Sequence, residues 1–405
     1  MTPLRLLFVK ESQNWPRASG HDVHGYHLMK ALAARGHAVS LATITPPTPE
    51  ALAGLPLASR HLLAGASGRL PLTSWQRRFA DYYGVTDGWG LALAALLREH
   101  RFDAVVLVAR HLLPVLAGLP VARSSVRSSV RSPVRVWYVA DDPAWHHLSR
   151  VHPLRPRTWA ELRNAAVNAL YERAYRACYD RVWVVSRPDR TAARLITGCR
   201  QVDLIPNGVD ADHYAPGAEP DLPNSCVFWG RLDFAPNVDA LEWFVGRVWP
   251  EVVRRVPAAR FAVFGFSPGE RVKELARVAG VELYADRPDL RAEVRRRQAV
   301  VLPFVSGGGI KNKLLEAAAL GMPVVCTRRS LSGTKGRPAV WVCRTAAEWA
   351  GALQRLWADP VARRNLGAAA RRWVTTYHTW DAAARTAEAA IRRTLARRTS
   401  EPSEP

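Results

Sequence analysis

The chain has 405 residues, of which 48% are hydrophobic and 23% are charged, a balance that excludes a mostly disordered protein. Its apolar runs fall well short of the roughly 18 residues that a membrane span requires, and its first residues lack a secretory signal pattern, so we expect a cytoplasmic protein. The net charge of +22 predicts attraction to polyanions, such as nucleic acid, acidic lipid or phosphorylated small molecules.

The first half of the chain alternates short apolar runs with helical patterns. A run at Leu4–Val9 precedes a polar loop, and the helical pattern after that loop ends at Gly36, a typical C-terminal cap. Further strands are predicted at Val39–Thr43, Val105–Val108, Val136–Val139 and Arg181–Val185, and a long helix at Trp159–Tyr179. Strands that alternate with helices pair in parallel, so this half predicts a doubly wound α/β domain.

The alternation starts again in the second half, after a segment that we interpret as an interdomain linker, residues 206–224. Strands are predicted at Cys226–Trp229, Phe261–Phe264, Val281–Tyr284, Val300–Phe304, Pro323–Cys326 and Ala339–Val342. Helices are predicted at Asn237–Val248, Glu270–Ala279, Arg291–Arg297, Lys311–Leu320, Ala346–Ala358, Pro360–Tyr377 and Trp380–Arg398. The pattern therefore predicts two consecutive α/β domains, and a disordered tail at residues 400–405.

The five cysteines are Cys178, Cys199, Cys226, Cys326 and Cys343. Their number is odd, their spacings are wide and no Cys-x-x-Cys pair occurs, so the sequence suggests neither a zinc site nor a disulfide framework. We expect reduced and mostly buried thiols.

The most informative segment is Val300–Val325, which reads VVLPFVSGGGIKNKLLEAAALGMPVV. A buried strand ends in a loop with three glycines, Gly307–Gly309, which lets backbone N–H groups approach a ligand at the start of a helix, where phosphate is favoured. Lys311 and Lys313 lie in the first turn, where cations oppose the helix dipole unless an anion binds. Glu316, about one turn further on, can accept hydrogen bonds from sugar hydroxyls. The combination favours a phosphorylated sugar ligand over a glycine-rich turn with solvated lysines.

These residues resemble the donor-site signature of the retaining nucleotide-sugar glycosyltransferases of family 4, the group 1 glycosyltransferases, which have the GT-B fold. Four other segments agree in order and spacing: Ser19-Gly20, Ile205–Asp210 (IPNGVD), Phe228–Leu232 (FWGRL) and Gly265. The stretch Leu232–Leu241, together with Gly307–Glu316, is similar to a subgroup linked to exopolysaccharide assembly.

The resemblance implies two Rossmann-like domains that face each other across a cleft. Residues 1–205 would bind the acceptor and residues 225–378 the donor. A final helix, residues 379–399, would cross back to the first domain.

Carried over residue by residue, the resemblance implies that Glu316 binds ribose and that Arg231 contacts the diphosphate. The residues implied in donor binding are Gly20, Arg231, Gly307, Gly308, Gly309, Ile310, Lys311, Lys313 and Glu316. The family pattern has an additional carboxylate that falls at Gly308, and a lysine that falls at Pro236, so both groups are absent here. We infer that Lys311 or Lys313 supplies the charge that Pro236 lacks.

Candidates in the first domain follow predicted strand ends. Asp141 and Asp142 come after Val136–Val139, Arg110 and His111 come after Val105–Val108, and His21, Asp22 and His24 lie in or near the first loop. Because ligands of such sheets bind beyond the carboxyl ends of the strands, these side chains could orient an acceptor hydroxyl or polarise it; ordinary capping or solvation is the alternative for each. The catalytic candidates are Asp141, Asp142, His111, Arg231 and Lys311.

The resemblance implies transfer of a sugar, with retention, from a nucleotide diphosphate sugar to a hydroxyl of a glycan or lipid-linked acceptor in cell-surface polysaccharide biosynthesis. It implies no bound cofactor and no metal, since the departing phosphate takes the acceptor proton. Three alternatives stay open: a sugar-nucleotide epimerase, a DNA- or polyanion-directed transferase, and a non-catalytic nucleotide-binding homologue. No nucleic-acid motif occurs beyond the charge itself.

Several basic patches suggest a peripheral contact with an anionic membrane, at its inner face. They are Arg254-Arg255, Arg295–Arg297, Arg371-Arg372 and Arg392–Arg398. Solvated helix faces are the alternative interpretation of these arginines.

Overall fold

The computed structural model describes residues 2–14, 20–119, 132–139, 142–148, 151, 158–287, 289–307 and 309–400, without the side chain of His21. The chain divides into two units: residues 1–205 with 380–405, and residues 206–379. Of the helices within the described ranges, none is both long and apolar enough to cross a membrane. The expected tail at 400–405 lies outside these ranges except for Ser400, the last residue of a helix.

The first unit is built on a parallel sheet of seven strands within the described residues, in the order β3-β2-β1-β4-β5-β6-β7. The strands are β1 Arg5–Lys10, β2 Ala38–Thr43, β3 Ser59–Leu62, β4 Ala104–Val108, β5 Val134–Tyr138, β6 Arg181–Val184 and β7 Val202–Leu204. The helices are α1 Gly20–Ala34, α2 Pro49–Leu52, α3 Ser74–Tyr82, α4 Asp87–Glu99, α5 Leu113–Ala117, α6 Pro143–Leu148, α7 Thr158–Ala174 and α8 Arg187–Thr197. Helices lie on both faces of the sheet, because both faces are apolar. On β1, Leu7 and Val9 join one buried cluster, whereas Leu6 and Phe8 join the other.

The second unit contains a parallel sheet of six strands among its described residues, in the order β10-β9-β8-β11-β12-β13. These strands are β8 Leu222–Arg231, β9 Arg260–Phe266, β10 Val281–Ala285, β11 Arg297–Leu302, β12 Val324–Cys326 and β13 Trp341–Val342. The helices are α9 Ala235–Trp243, α10 Trp249–Arg255, α11 Glu270–Leu275, α12 Arg291–Arg295, α13 Asn312–Ala319, α14 Ala346–Ala358 and α15 Pro360–Tyr377. A single large core surrounds β8 and β11.

The last helix, α16 Trp380–Ser400, belongs to the first unit. Its apolar side, which includes Trp380, Ala384 and Ile391, lies in the cluster that contains Leu28 and Leu32 of α1. Arg35 at the end of α1 donates hydrogen bonds to Glu388 and Asp381 of α16. The fold of the first unit therefore depends on both ends of the chain.

Residues 206–221, the beginning of the second unit, are packed against the rest of that unit. The Asn207 amide donates to Asn312 Oδ1 at 2.6 Å, and Arg295 pairs with Glu219. The ring of the buried His378 accepts from Lys335 N at 3.0 Å and contacts the Asn207 carbonyl oxygen at 3.0 Å. These contacts tie the beginning of this unit to its end.

Several elements differ in extent from the sequence prediction. The predicted helix Asn237–Val248 is α9, followed by a π-helical turn at Phe244–Val248 that leads directly into α10. The predicted helix Arg291–Arg297 stops at Arg295, because Arg297 already begins β11 and its side chain is buried beside Glu282 and Glu293. The edge strands β3 and β7 were not predicted, since both are short and carry polar residues.

All five cysteines lie in the described part of the chain, where they are buried and unpaired, as expected. Burial raises the pKa of the Cys178 thiol to about 11 and that of Cys326 to about 12. These thiols are therefore protonated packing groups at neutral pH.

Candidate functional site

Two glycines lie opposite each other at the carboxyl ends of β8 and β9. Gly230 pairs in register with Gly265. A side chain on Gly230 would collide with the ammonium end of Lys313, and one on Gly265 would collide with the Gly230 backbone. Because neither glycine has a side chain, the space at this end of the two strands is open, and the Lys313 side chain can cross it.

Lys313, in the first turn of α13, reaches across this opening. Its Nζ donates to Asn237 Oδ1 at 3.2 Å and lies 5.4 Å from the ring centroid of Phe228. The Asn237 amide is itself held by the Arg231 carbonyl oxygen at 2.6 Å. Burial lowers the pKa of Lys313 to about 8, although the nearby Glu316 charge opposes the shift.

Lys311 immediately precedes α13 and lies over the Phe304 ring, which Lys313 also approaches. Its Nζ is 5.0 Å from the centroid of the Phe304 ring. Burial lowers its pKa to about 8, helped by the positive charges of Lys313 and Arg329. Two desolvated ammonium groups near the start of one helix leave a local excess of positive charge, which a bound anion would relieve.

Glu316 lies one turn further along α13, among polar groups. Its Oε2 accepts a hydrogen bond from the Trp229 indole N–H at 2.7 Å. Burial raises the pKa of Glu316, and the Trp229 hydrogen bond and the Lys313 charge oppose that rise. The Glu316 charge is also the main cause of the raised pKa of Tyr214. The carboxylate can therefore take further hydrogen-bond donors, such as the hydroxyls of a sugar ring.

The loop that connects β11 with α13 is shaped by glycine. Gly307 and Gly309 have φ values of +80° and +70°, the left-handed region, while Gly308 lies outside the described residues. Gly307 packs so closely on Pro236 that a Cβ would come within 3.1 Å of the proline ring. Ile310 packs against the core, so its side chain anchors the loop.

Arg231 is exposed, whereas Lys311 and Lys313 are partly buried. Its guanidinium pairs with Asp233 at 2.8 Å, and its side chain is 59% exposed. An ion pair this exposed contributes little to stability, so Arg231 can exchange Asp233 for an anionic ligand at small cost.

In the first unit, a cavity of about 300 Å³ lies beside the carboxyl end of β4. It is lined by Tyr82, Tyr83, Arg110, His111, Pro143, His147, Asn164, Val167 and Asn168. The His111 Nε2 lies 3.3 Å from a carboxylate oxygen of Glu11. The predicted candidate His111 is thus at a cavity where an acceptor hydroxyl could meet an imidazole.

The predicted catalytic role of Asp142 does not fit its environment. Asp142 is completely buried and does not line the cavity, and its Oδ1 accepts from Trp145 N at 2.8 Å, which caps α6. Burial and the neighbouring Asp142 charge hold the pKa of Glu172 well above its usual range. The geometry favours a structural role for Asp142. Asp141 lies outside the described residues.

Two further residues lie in α1 and β1 of the first unit: Gly20, which was predicted, and Lys10, which was not. Gly20 is the first residue of α1, and the five residues before it lie outside the described ranges. Lys10, which the sequence analysis missed, ends β1 as a buried lysine that donates to Gln13 Oε1 at 2.8 Å and Asp22 Oδ1 at 3.0 Å. A lysine directly after four apolar residues was the signal that could have found it.

No group of three or more His, Cys, Asp or Glu side chains that could hold a metal ion occurs among the described residues.

The solved structures that resemble this chain define a class. Sucrose-phosphate synthase from Thermosynechococcus elongatus is 18% identical, with 97% of this chain and 100% of that chain covered and a TM-score of 0.66. HepE from Anabaena, solved with UDP and glucose, is 13% identical, with 97% and 99% covered and a TM-score of 0.62. TarM from S. aureus, solved with UDP, is 9% identical, with 96% and 100% covered and a TM-score of 0.67. The two parallel sheets with flanking helices therefore have the GT-B fold, which confirms the predicted fold class.

Family models identify the chain more closely. The model for glycosyltransferase family 4 matches residues 18–213, and the model for group 1 glycosyl transferases matches residues 223–359. The chain belongs to the group 1 glycosyltransferases, enzymes that use nucleotide sugars. A comparison with curated proteins finds no match.

Proposed function

We propose that the protein transfers a sugar, with retention and without a metal, from a nucleotide diphosphate sugar to a hydroxyl of a glycan or glycolipid acceptor. Cell-surface polysaccharide biosynthesis is the proposed context. The observation that carries the proposal is the cluster of Lys311, Lys313 and Glu316 beside the Gly230–Gly265 opening, since it combines two partly buried cations with a carboxylate that the Trp229 indole holds in place.

The proposed donor orientation follows from these charges. The diphosphate lies against the two ammonium groups and the N–H groups of the glycine loop, where its charge offsets the cost of burying them. Arg231 exchanges Asp233 for a phosphate oxygen. The ribose hydroxyls donate to Glu316, which the Trp229 indole holds in place.

In the proposed reaction the bond from the anomeric carbon to the phosphate oxygen breaks as the bond to the acceptor oxygen forms on the same face. The acceptor proton passes to the departing phosphate oxygen, so no protein nucleophile is needed. Lys311, Lys313 and Arg231 stabilise the charge that develops on the leaving group. Because Pro236 replaces the lysine of the family pattern, Lys311 and Lys313 supply most of this stabilisation.

The cavity of the first unit is the proposed acceptor site, with His111 as the residue that orients or polarises the acceptor hydroxyl. The imidazole already lies beside a carboxylate, Glu11, which can fix its orientation.

Calorimetric titration with UDP, GDP, ADP, dTDP and CMP tests the donor site. UDP is the first choice because the HepE and TarM structures contain it. One nucleoside diphosphate is expected to bind, and Glu316→Gln and Lys313→Gln should each weaken it by about tenfold to a hundredfold, the range for a hydrogen bond to a charged group.

The matched controls lie on the exposed helix α11: Glu274→Gln and Lys273→Gln remove the same functional groups away from the loop. Equal losses in controls and site variants would reject the assignment, as would the absence of binding by any nucleotide. Retention is tested with simple alkyl glycoside acceptors, by the anomeric proton coupling of the product in NMR. An inverted product would refute the proposed mechanism.

A further inference from the structure

Helix α7 carries an apolar and basic stripe on its solvent side. Trp159, Arg163, Ala166, Leu170 and Arg173 recur every three or four residues, and all five are exposed. Trp159 is 82% exposed and Leu170 54%, which is unusual in a chain whose large apolar residues are mostly buried. No ion pair of Arg163 or Arg173 occurs among the described residues.

Helix α3 carries a similar stripe. Trp75, Arg78 and Tyr82 lie on one side of it at spacings of three and four residues, and the guanidinium of Arg78 lies 5.5 Å from the centroid of the Trp75 ring. Trp75 is 61% exposed and Tyr82 71%. The opposite side of α3 is buried through Phe79 and Ala80.

The two helices are antiparallel neighbours. The Gln76 amide donates to the Ala174 carbonyl oxygen at 2.8 Å, whereas the Tyr83 hydroxyl donates to Asn168 Oδ1 at 3.2 Å. The beginning of α3 thus lies near the end of α7, and the end of α3 lies near an earlier residue of α7. Both helices bury their opposite sides in the same core and contact each other, so we consider their exposed stripes together and call them the α3–α7 face.

We propose that the α3–α7 face binds the surface of an anionic lipid bilayer. Tryptophan and tyrosine prefer the interface between water and lipid, since their rings are apolar and one end can hydrogen-bond. Arginines beside them are attracted to acidic headgroups. Asp81 is the acidic residue on the exposed side of α3, and Glu161 of α7 is engaged by His147 at 2.7 Å, so the face is predominantly basic.

The same charges argue against a second copy of the chain as the partner. A symmetric contact through this face would bring the arginines of both copies together in a desolvated interface, which is unfavourable. The basic patches singled out in the sequence are less suited to lipid, because many of their arginines have partners within the chain. Arg254 and Arg255 pair with Glu251, Arg392 pairs with Glu388, and Arg398 with Asp180.

The α3–α7 face adjoins the cavity of the first unit. Tyr82 belongs to the face and also lines the cavity, and Asn164 and Asn168 of α7 line it as well. A bilayer on this face would therefore hold the cavity close to lipid headgroups. This surface goes beyond the proposed transfer reaction, and binding to bare vesicles does not depend on donor chemistry.

The test is co-sedimentation of the full chain with vesicles of phosphatidylcholine, alone or with about one-third phosphatidylglycerol. The chain should sediment with the anionic vesicles and far less with neutral ones. Arg163→Gln/Arg173→Gln should weaken partitioning about thirtyfold, since each arginine near the surface contributes about fivefold. Trp75→Ser/Trp159→Ser should weaken it as well, and that loss should persist at high salt.

The matched control for the arginines is Arg194→Gln/Arg200→Gln on and after α8, which lowers the net charge equally, and Leu195→Ser is the control for exposed apolar area. Both controls should sediment like the unmodified chain. A control loss equal to that of the α3–α7 variants would overturn the proposal in favour of general charge attraction. Unimpaired sedimentation of the α3–α7 variants would also overturn it. Analytical ultracentrifugation tests the alternative partner: if the unmodified chain is a dimer and Trp75→Ser/Trp159→Ser is a monomer, the face binds a second copy of the chain and the proposal is wrong. UDP affinity, measured on the same variants, separates these results from a failure of the donor site.

Discussion

At the residue scale, burial lowers the pKa values of Lys311 and Lys313, at the start of α13, to about 8. In the free protein, both charges are therefore partly lost just above neutral pH. A nucleoside diphosphate binds the protonated forms, because its phosphates interact with ammonium groups and not with neutral amines.

We expect the affinity for the nucleotide to fall as the pH rises through about 8, where these lysines lose their protons. Calorimetric titration from about pH 6.5 to 9.5 measures this, and Lys313→Arg, which stays charged, should flatten the fall. An affinity that is constant over this range would show that the lysines do not contact the phosphates.

Asp142 lies with Glu172 and Asp189 in a buried carboxylate group. Its backbone N–H donates to Asp189 Oδ1 at 3.1 Å, while Glu172 accepts from Ala144 N at 3.1 Å. These contacts fix the start of α6, next to the cavity that includes His111.

We expect Asp142→Ala to lower the free energy of unfolding by about 1 to 2 kcal/mol, because it removes a helix cap, and to leave nucleotide affinity unchanged. His111→Ala should instead spare stability and reduce transfer. Thermal denaturation and a transfer assay distinguish the two. If Asp142→Ala were as stable as the unmodified protein but inactive, a catalytic role for Asp142 would be restored.

At the element scale, α16 completes the core of the first unit. Ile391 is fully buried in one cluster with residues of the sheet and of α1, and the α1 residues are more than 300 positions away in the sequence. Arg181 of β6 also donates to the Thr394 hydroxyl at 2.8 Å.

We expect Ile391→Ala to destabilise the first unit by about 3 kcal/mol, through lost apolar burial and the cavity left behind. Leu195→Ala, at a side chain that is 78% exposed, should change stability by less than about 0.5 kcal/mol. Urea denaturation measures both. Equal effects would mean that α16 does not contribute to this core.

Elements with long apolar runs were predicted from sequence, whereas β3 and β7, the two edge strands of the first sheet, were not. All five strands predicted in the first half correspond to strands of the described sheet, because buried parallel strands are apolar on both faces. The strand β3 (SRHL) has one strongly apolar residue, so no local pattern distinguishes it from a loop. The arginine at position 297 suggested a helix, but its side chain lies within 6.0 Å of the Phe264 ring, a contact that exists only when β11 pairs with its neighbours.

At the scale of the whole molecule, the second unit is a continuous segment whose two ends meet. Val209 N donates to the His378 carbonyl oxygen at 2.8 Å, and the His378 ring contacts the Asn207 carbonyl oxygen. This closure, and the core that the segment contains, indicate that it can fold by itself.

We expect the excised segment 206–379 to show one cooperative thermal transition, and a nucleotide that binds the proposed donor site should raise its melting temperature. Differential scanning fluorimetry with and without UDP measures this, with Glu316→Gln in the same segment as the control. A segment that melts without cooperativity would show that the unit needs residues outside 206–379.

The sequence by itself determined the doubly wound fold class and the main loop of the candidate donor site, because strand periodicity, turn glycines and helix starts depend on residues a few positions apart. The tertiary structure decided which distant groups complete that loop: Trp229 binds Glu316, and Asn237 binds Lys313. It also placed Asp142 at the cap of α6, and it brought α3 beside α7. These outcomes depend on how the elements pack, since burial and hydrogen bonding between distant residues exist only once the chain is folded.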